Sequence, residues 1–224
     1  MRIPLTDDEI KTVMEKARTQ LSISSLDNLR QRHANIQYDC ILRGYIGEYA
    51  ITKWLGQHGI TLDETNYFNE DDNIDIDFLY KGKNIELKTS LIPDIDVTIE
   101  KSITCRDIKL IKRENNIEHL RGDIHLQIFF DQRRKAKDDW LAGKEIDIEG
   151  AEIDELFDTL LARAYKNRTY FVGWIDKPSF ISKIIRMPEN ERTWTFKNAK
   201  RMFWNCKISE CNKPATLPAY LNNI

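Results

Sequence analysis

The stretch DIDFLYKGKNIELKT, running from Asp75 to Thr89, decides the reading of this chain. Apolar side chains alternate through Ile74, Ile76, Phe78 and Tyr80 and resume at Ile85 and Leu87, the period of two expected of strands that bury one face. Lys81-Gly82 supplies a turn between the runs, so the segment predicts a β-hairpin. With Tyr80 and Lys83 closing a two-residue turn, Asp77 falls opposite Glu86 and Asp75 opposite Lys88, and all four side chains share one face. Directly opposed residues have Cβ atoms about 4.5–5.5 Å apart. Two carboxylates at that spacing repel each other unless a cation joins them, and magnesium needs only one or two protein carboxylates beside water and substrate phosphate. Lys88 points the same way as Glu86 and is placed to orient or deprotonate an attacking water, or to neutralise charge growing on a phosphoryl group.

Upstream, residues 36–57 have helical length and apolar content, with Gly59 just beyond. At about 100° per residue, Asp39, Arg43, Lys53 and Gln57 fall on one arc and Glu48 on the opposite, apolar one, between Ile41 and Leu55. A carboxylate buried there needs a cation, a hydrogen-bond network or a water-filled cleft; the plainer alternative is a helix glutamate turned slightly out of the core.

The Asp77…Glu86-Leu87-Lys88 constellation resembles the signature of the PD-(D/E)XK nuclease superfamily, an acid on one strand followed by acid-x-lysine on the next, with Ile76 standing where the name-giving proline would be. Members of that superfamily often carry a further acid on the helix before the hairpin, a place Glu48 would fill. The resemblance implies an α/β fold with a restriction-endonuclease-like αβββαβ core, a mixed central sheet flanked by helices, over roughly Ile36 to Ile175. It further implies Mg²⁺, with Mn²⁺ as a substitute, held by Asp77, Glu86 and Glu48, and Lys88 completing the catalytic set. Asp75 supports these ligands, pairs with Lys88 or is simply solvated; Gln127 lines the cleft from a later strand or lies on a solvated edge.

Elsewhere, Thr6-x-x-Glu9 forms a capping box opening a helix to about Leu21. A short helix is expected between Thr104 and Arg113, strands at Ile124–Phe130 and Tyr170–Ile175, an acidic helix between them over 152–164, and a short helix opened by Lys177-Pro178-Ser179. Strand, helix, strand in that order suggests a crossover unit. The expected division is a helical extension over 1–35, the nuclease-like core over 36–190 and a C-terminal extension over 191–224 packed on the core.

Asp63 through Asp77 holds seven acids and no lysine or arginine, a run that attracts cations and repels a nucleic-acid backbone, so phosphate-binding charge must come from elsewhere. Arg133, Arg134, Lys135 and Lys137 form one basic cluster; Lys197, Lys200, Arg201 and Lys207 form another, interleaved with Trp194, Phe196, Phe203 and Trp204. Basic residues with aromatics suit a nucleic-acid surface, although the same aromatics also suit a core.

The 224 residues, 41% hydrophobic and 31% charged with net charge −2, suffice for a sizeable core and argue against a protein that coats nucleic acid nonspecifically. Asp7, Asp8 and Glu9 occupy the place of a basic leader, so the cytoplasm is the expected location. The dispersed cysteines and histidines compose no zinc motif, and no Gly-x-Ser-x-Gly elbow or glycine-rich phosphate loop occurs. These readings converge on magnesium-dependent hydrolysis of DNA by an endonuclease of restriction or genome-defence type. RNA is the weaker alternative substrate, and a homodimer suits duplex cleavage. A catalytically silent DNA- or protein-binding module, or an accessory nuclease needing an activator, is the alternative function.

Overall fold

Residues 1–23, 32–65, 76–113, 115–195 and 201–224 are described by a computed structural model; Asp75, Phe196, Lys197 and Lys200 lie outside the described residues. In chain order the elements are α1 (Asp7–Ile23), α2 (Ala34–Gly56), β1 (Asp63–Glu64), β2 (Phe78–Tyr80), β3 (Lys83–Ile92), α3 (Ile99–Cys105), β4 (Leu110–Ile111), β5 (Ile124–Arg133), α4 (Arg134–Ala142), α5 (Ile153–Thr159), β6 (Thr169–Asp176), α6 (Lys177–Ile185), β7 (Thr193–Thr195), β8 (Met202–Trp204) and α7 (Leu217–Asn222).

The hairpin forms as its turn residues dictate. Lys81 and Gly82 both take positive φ, 46° and 75°, the conformation whose twist matches the flanking strands. Tyr80 pairs with Lys83 and Phe78 with Ile85. From this ribbon a five-stranded sheet grows in the order β1-β2-β3-β5-β6. β3 and β5 run parallel, whereas the β1/β2, β2/β3 and β5/β6 pairs are antiparallel. The architecture is thus α/β, a mixed sheet with helices against it.

Period-two burial assigns the two faces of β3 and β5. Leu87, Leu91, Leu126, Ile128 and Phe130 join Ile10, Met14, Tyr38, Leu42 and Ile46 of the first two helices in one core, and Gly47 of α2 lies against Leu87 and Thr89. Ile92 and Phe129 point the other way, into a second core with Ile108, Val172, Phe180, Trp204 and Ile208. The N-terminal segment, expected as an extension, contributes Ile3, Leu5, Ile10 and Met14 to the first core, and Ile3 N–H bonds the Thr169 carbonyl beside β6. The Thr6–Glu9 capping box is formed reciprocally, Thr6 N–H to Glu9 Oε2 at 2.7 Å and Glu9 N–H to Thr6 Oγ1 at 3.2 Å.

Three expectations need correction. The parallel crossover is β3 to β5 by way of α3, not the strand–helix–strand run ending at β6, because β5 and β6 are antiparallel. The cause is an anchor. Lys137 early in α4 and Tyr165 just before β6 both reach Asp39, at 2.8 and 2.6 Å, so the connection starts and finishes at the same end of the sheet. Second, the expected helix between Thr104 and Arg113 is displaced: α3 starts earlier, with Thr98 Oγ1 accepting from Lys101 N–H, and Leu110–Ile111 pairs with β8 in a small sheet ordered β4-β8-β7. Buried Ile108 and Leu110 show the period of two that a helix there would break. Third, the acidic helix over 152–164 stops at Thr159, because Leu161 adopts a left-handed conformation with φ 51° before a 3-10 turn at Ala162–Asn167.

Candidate active site

Glu86 and Lys88 face away from α2, since Leu87 and Thr89 occupy the opposite side of the strand. Parallel pairing sets His125 beside Glu86 and Gln127 beside Lys88. Glu86 is 6% exposed, and both of its oxygens are engaged: Oε1 lies 2.8 Å from Lys88 Nζ and Oε2 2.9 Å from His125 Nδ1. Burial alone would push this carboxyl up, but the Lys88 ammonium and the His125 bond outweigh it and bring the pKa down to about 2. Glu86 is therefore an anion at neutral pH, and because a carboxylate only accepts, the His125 proton sits on Nδ1. His125 Nε2 is buried without a hydrogen-bond partner.

The glycine at 122 makes this packing feasible. A Cβ there would stand 2.6 Å from His125 Cε1 and 3.3 Å from Glu86 Cβ. Gln127 is fully buried and ties the site together: its Oε1 accepts from Lys109 N–H at 3.1 Å, and its Nε2 donates to the Lys88 carbonyl at 3.0 Å. It holds backbone in place and is no solvated edge residue.

Asp77 keeps the predicted neighbourhood but departs from the predicted pairing. Its N–H donates to the Ile85 carbonyl at 3.0 Å, and the β2/β3 ladder begins only at Phe78. The carboxylate then turns to the Leu87 N–H, at 2.5 Å, satisfying a backbone donor that would lack a partner where β2 ends. Asp77 is thus anchored to the residue between Glu86 and Lys88 instead of standing opposite Glu86. Glu48 is buried but lines a different cavity, of about 360 Å³, with Lys16, Tyr45, Tyr49 and Glu64; neither Glu86, Lys88 nor Asp77 borders it. Among the described residues no three carboxylate, imidazole or thiol side chains converge to hold a metal ion.

A cavity of about 30 Å³ opens over Glu86, bordered by Arg113, Asn116, His119, Arg121 and Trp204. Sequence reasoning missed these residues because they come from the connection between β3 and β5. The signal present was local: Lys112-Arg113 and His119-x-Arg121 bring four basic or imidazole groups to the doorstep of a strand. Lys109 does not border this cavity; burial, with Arg134 and Arg43 nearby, lowers its ammonium to about 8.

Of the basic residues singled out, Arg133 and Arg134 are exposed at the β5–α4 junction and Arg201 is exposed before β8. Lys137 is not a surface group; it is buried against Asp39. Trp194 stacks on Phe203, ring centroids 4.7 Å apart, and Phe203 and Trp204 are buried, so these aromatics serve packing. Cys206 and Cys211 have sulfurs 3.7 Å apart. Among the described residues no helix is long and apolar enough to cross a membrane.

Comparison with protein-family models, with curated proteins and with solved structures gave no match.

Proposed function

We propose that this chain is a divalent-metal-dependent phosphodiesterase acting on DNA, an endonuclease whose working group is the acid-x-lysine pair of β3. The observation that carries the reading is Glu86: a carboxylate kept charged inside the protein, bonded to Lys88 Nζ at 2.8 Å, at the floor of a cavity bordered by Arg113 and Arg121. A desolvated carboxylate with a perturbed pKa, a specific charge partner and a cleft beside it marks a functional-site candidate. With β4 set aside in the small sheet, the succession α2, β1, β2, β3, α3, β5 supports the reading further, since it follows the αβββαβ order of the restriction-endonuclease-like fold.

The donors fit a hard cation. Asp77, just before β2 and bonded to the Leu87 N–H, and Glu86 in β3 both offer carboxylate oxygens, and magnesium needs no more than one or two carboxylates when waters and phosphate complete its shell. Magnesium, when bound, supplies Lewis acidity toward the phosphate and raises the acidity of the attacking water. Glu86 contributes negative charge that needs no deprotonation at neutral pH. Lys88 donates hydrogen bonds to the oxygens on which charge grows during in-line attack. Gln127 fixes the Lys88 backbone, and Arg113 and Arg121 draw the phosphodiester toward the cavity. Glu48, bordering the α1–α2 cavity, has no part in this step.

The test is cleavage of supercoiled plasmid with magnesium, manganese or EDTA. Metal-dependent nicking that falls by at least about 10²-fold in each of Asp77→Asn, Glu86→Gln and Lys88→Met is expected. Nicking of equal rate in all three variants overturns the assignment. Full engagement of Glu86 by Lys88 and His125 favours one second reading, a DNA-binding module in which the pair is structural; tight binding without cleavage under either metal is its signature.

A further inference from the structure

Immediately after β3 the chain makes a tight projection, Pro93 to Thr98, fixed from both ends. Asp94 accepts from the Lys135 and Ala136 N–H groups at the start of α4, at 2.7 and 3.2 Å. Asp96 is buried and bonded to Ser102 Oγ and Arg106 Nε, both at 2.7 Å. Between and beyond these anchors two β-branched apolar residues face solvent, Ile95 at 72% exposure and Val97 at 57%. Val97 has φ 65° and ψ −45° and is the centre of a γ-turn closed by Thr98 N–H on the Asp96 carbonyl at 2.6 Å, a conformation that is rare and strained, above all for a β-branched residue. Strain of this kind persists where the surroundings over-determine it, and it clusters at ligand-contacting sites.

The surroundings point to the occupant. Both aspartates of the projection are consumed internally, whereas Lys101, Arg133 and Arg134 around it are exposed; Lys101 Nζ lies 3.3 Å from the Ile95 carbonyl, and Arg133 is the β5 partner of Ile92. Rigid apolar tips framed by cations are the equipment with which proteins pry apart a base step while gripping the flanking phosphates. The projection also directly follows the strand that carries the acid-x-lysine pair: from Lys88 to the strand end at Ile92 is ~13 Å at ~3.3 Å per residue, or ~4 base-pair steps of duplex.

Resting on the DNA reading proposed above, we infer that the Ile95/Val97 projection is a wedge that inserts between base pairs of duplex DNA a few steps from the bond presented to Glu86 and Lys88. The test uses a labelled 30-base-pair duplex carrying 2-aminopurine, titrated with the full chain in EDTA. Wild type is expected to bind and to raise the 2-aminopurine fluorescence at one step. Ile95→Ser/Val97→Gly is expected to bind roughly tenfold more weakly, with no fluorescence rise and an unchanged dependence on salt, because the phosphate contacts remain. Arg133→Ala/Arg134→Ala instead flattens the salt dependence by ~0.9 per lost contact. Glycine accepts the Val97 conformation without strain, so the Val97→Gly single variant unfolds at equal or higher urea concentration than wild type and certifies the fold. Equal affinity and equal fluorescence change in wild type and the double variant overturn the wedge and leave the DNA reading standing. Absence of duplex binding by wild type ends both. A wild-type dimer that the double variant dissolves overturns the wedge in favour of a self-association surface.

Discussion

At Glu86 an ammonium and an imidazole share one carboxylate: Lys88 on one oxygen and His125 on the other. A divalent ion arriving there meets the Lys88 ammonium as a like-charged neighbour. Lys88→Met therefore separates binding from chemistry: manganese binds more tightly than to wild type while plasmid cleavage disappears. A purely structural ion pair gives no manganese binding in either protein. The acid-x-lysine spacing was legible because period two is local, needing only the strand itself. His125 and Gly122 were not, since the parallel register that brings them to Glu86 is set across a long connection that no local pattern encodes. Gly122→Ala forces a methyl to within 2.6 Å of the His125 ring. Overpacking of this kind is expected to cost about 1–3 kcal/mol in urea unfolding and to weaken manganese binding by displacing the imidazole from Glu86.

Among the elements, α2 shows what periodicity reveals and what it conceals. Its extent was legible from length and apolar content, and the hairpin from Lys81-Gly82. The polar arc of Asp39 and Arg43, which a lone helix would turn to water, is instead buried under α4 and the turn carrying Tyr165. Charge on a helix face signals solvent only when nothing else covers that face, and here the covering groups are themselves charged. Asp39 is ion-paired with two cations, Arg43 Nε lying 2.9 Å from its Oδ2 and Lys137 Nζ 2.8 Å from its Oδ1. Asp39→Asn, leaving two buried cations short of their anion, is expected to destabilise the fold by about 3–5 kcal/mol as measured by urea unfolding; a loss under 1 kcal/mol would show that the network relaxes freely. In the hairpin turn the reverse is expected. Lys81 sits at φ 46°, where asparagine is favoured, so Lys81→Asn raises stability by a few tenths to about 1 kcal/mol.

For the molecule as a whole, the strands of the sheet were legible as alternating runs and its mixed character only through the family resemblance, whereas the direction of its last strand was not legible, because the Asp39 anchor joins residues far apart in sequence. That anchor also governs response to acid. Burial raises the Asp39 carboxyl, but Lys137 and Arg43 more than offset it and hold the group below its ordinary range; the Arg106 bond does the same for Asp96 against the opposing effect of burial. A carboxyl whose pKa is lower in the folded state contributes stability that is complete above its unfolded value of about 3.9 and is lost as pH falls through the folded value. Urea midpoints are accordingly expected to hold from pH 7 down to about pH 5 and to fall steeply below about pH 4. In Asp39→Asn that fall is shallower.

The measurement closest to the central claim is the binding of Mn²⁺ to the folded protein, followed by electron paramagnetic resonance, in wild type beside Glu86→Gln. Saturable binding in wild type that is lost in Glu86→Gln, with both proteins equally folded by circular dichroism, is the predicted result. Identical binding in the two proteins, or none in either, would contradict a metal-dependent site at Glu86.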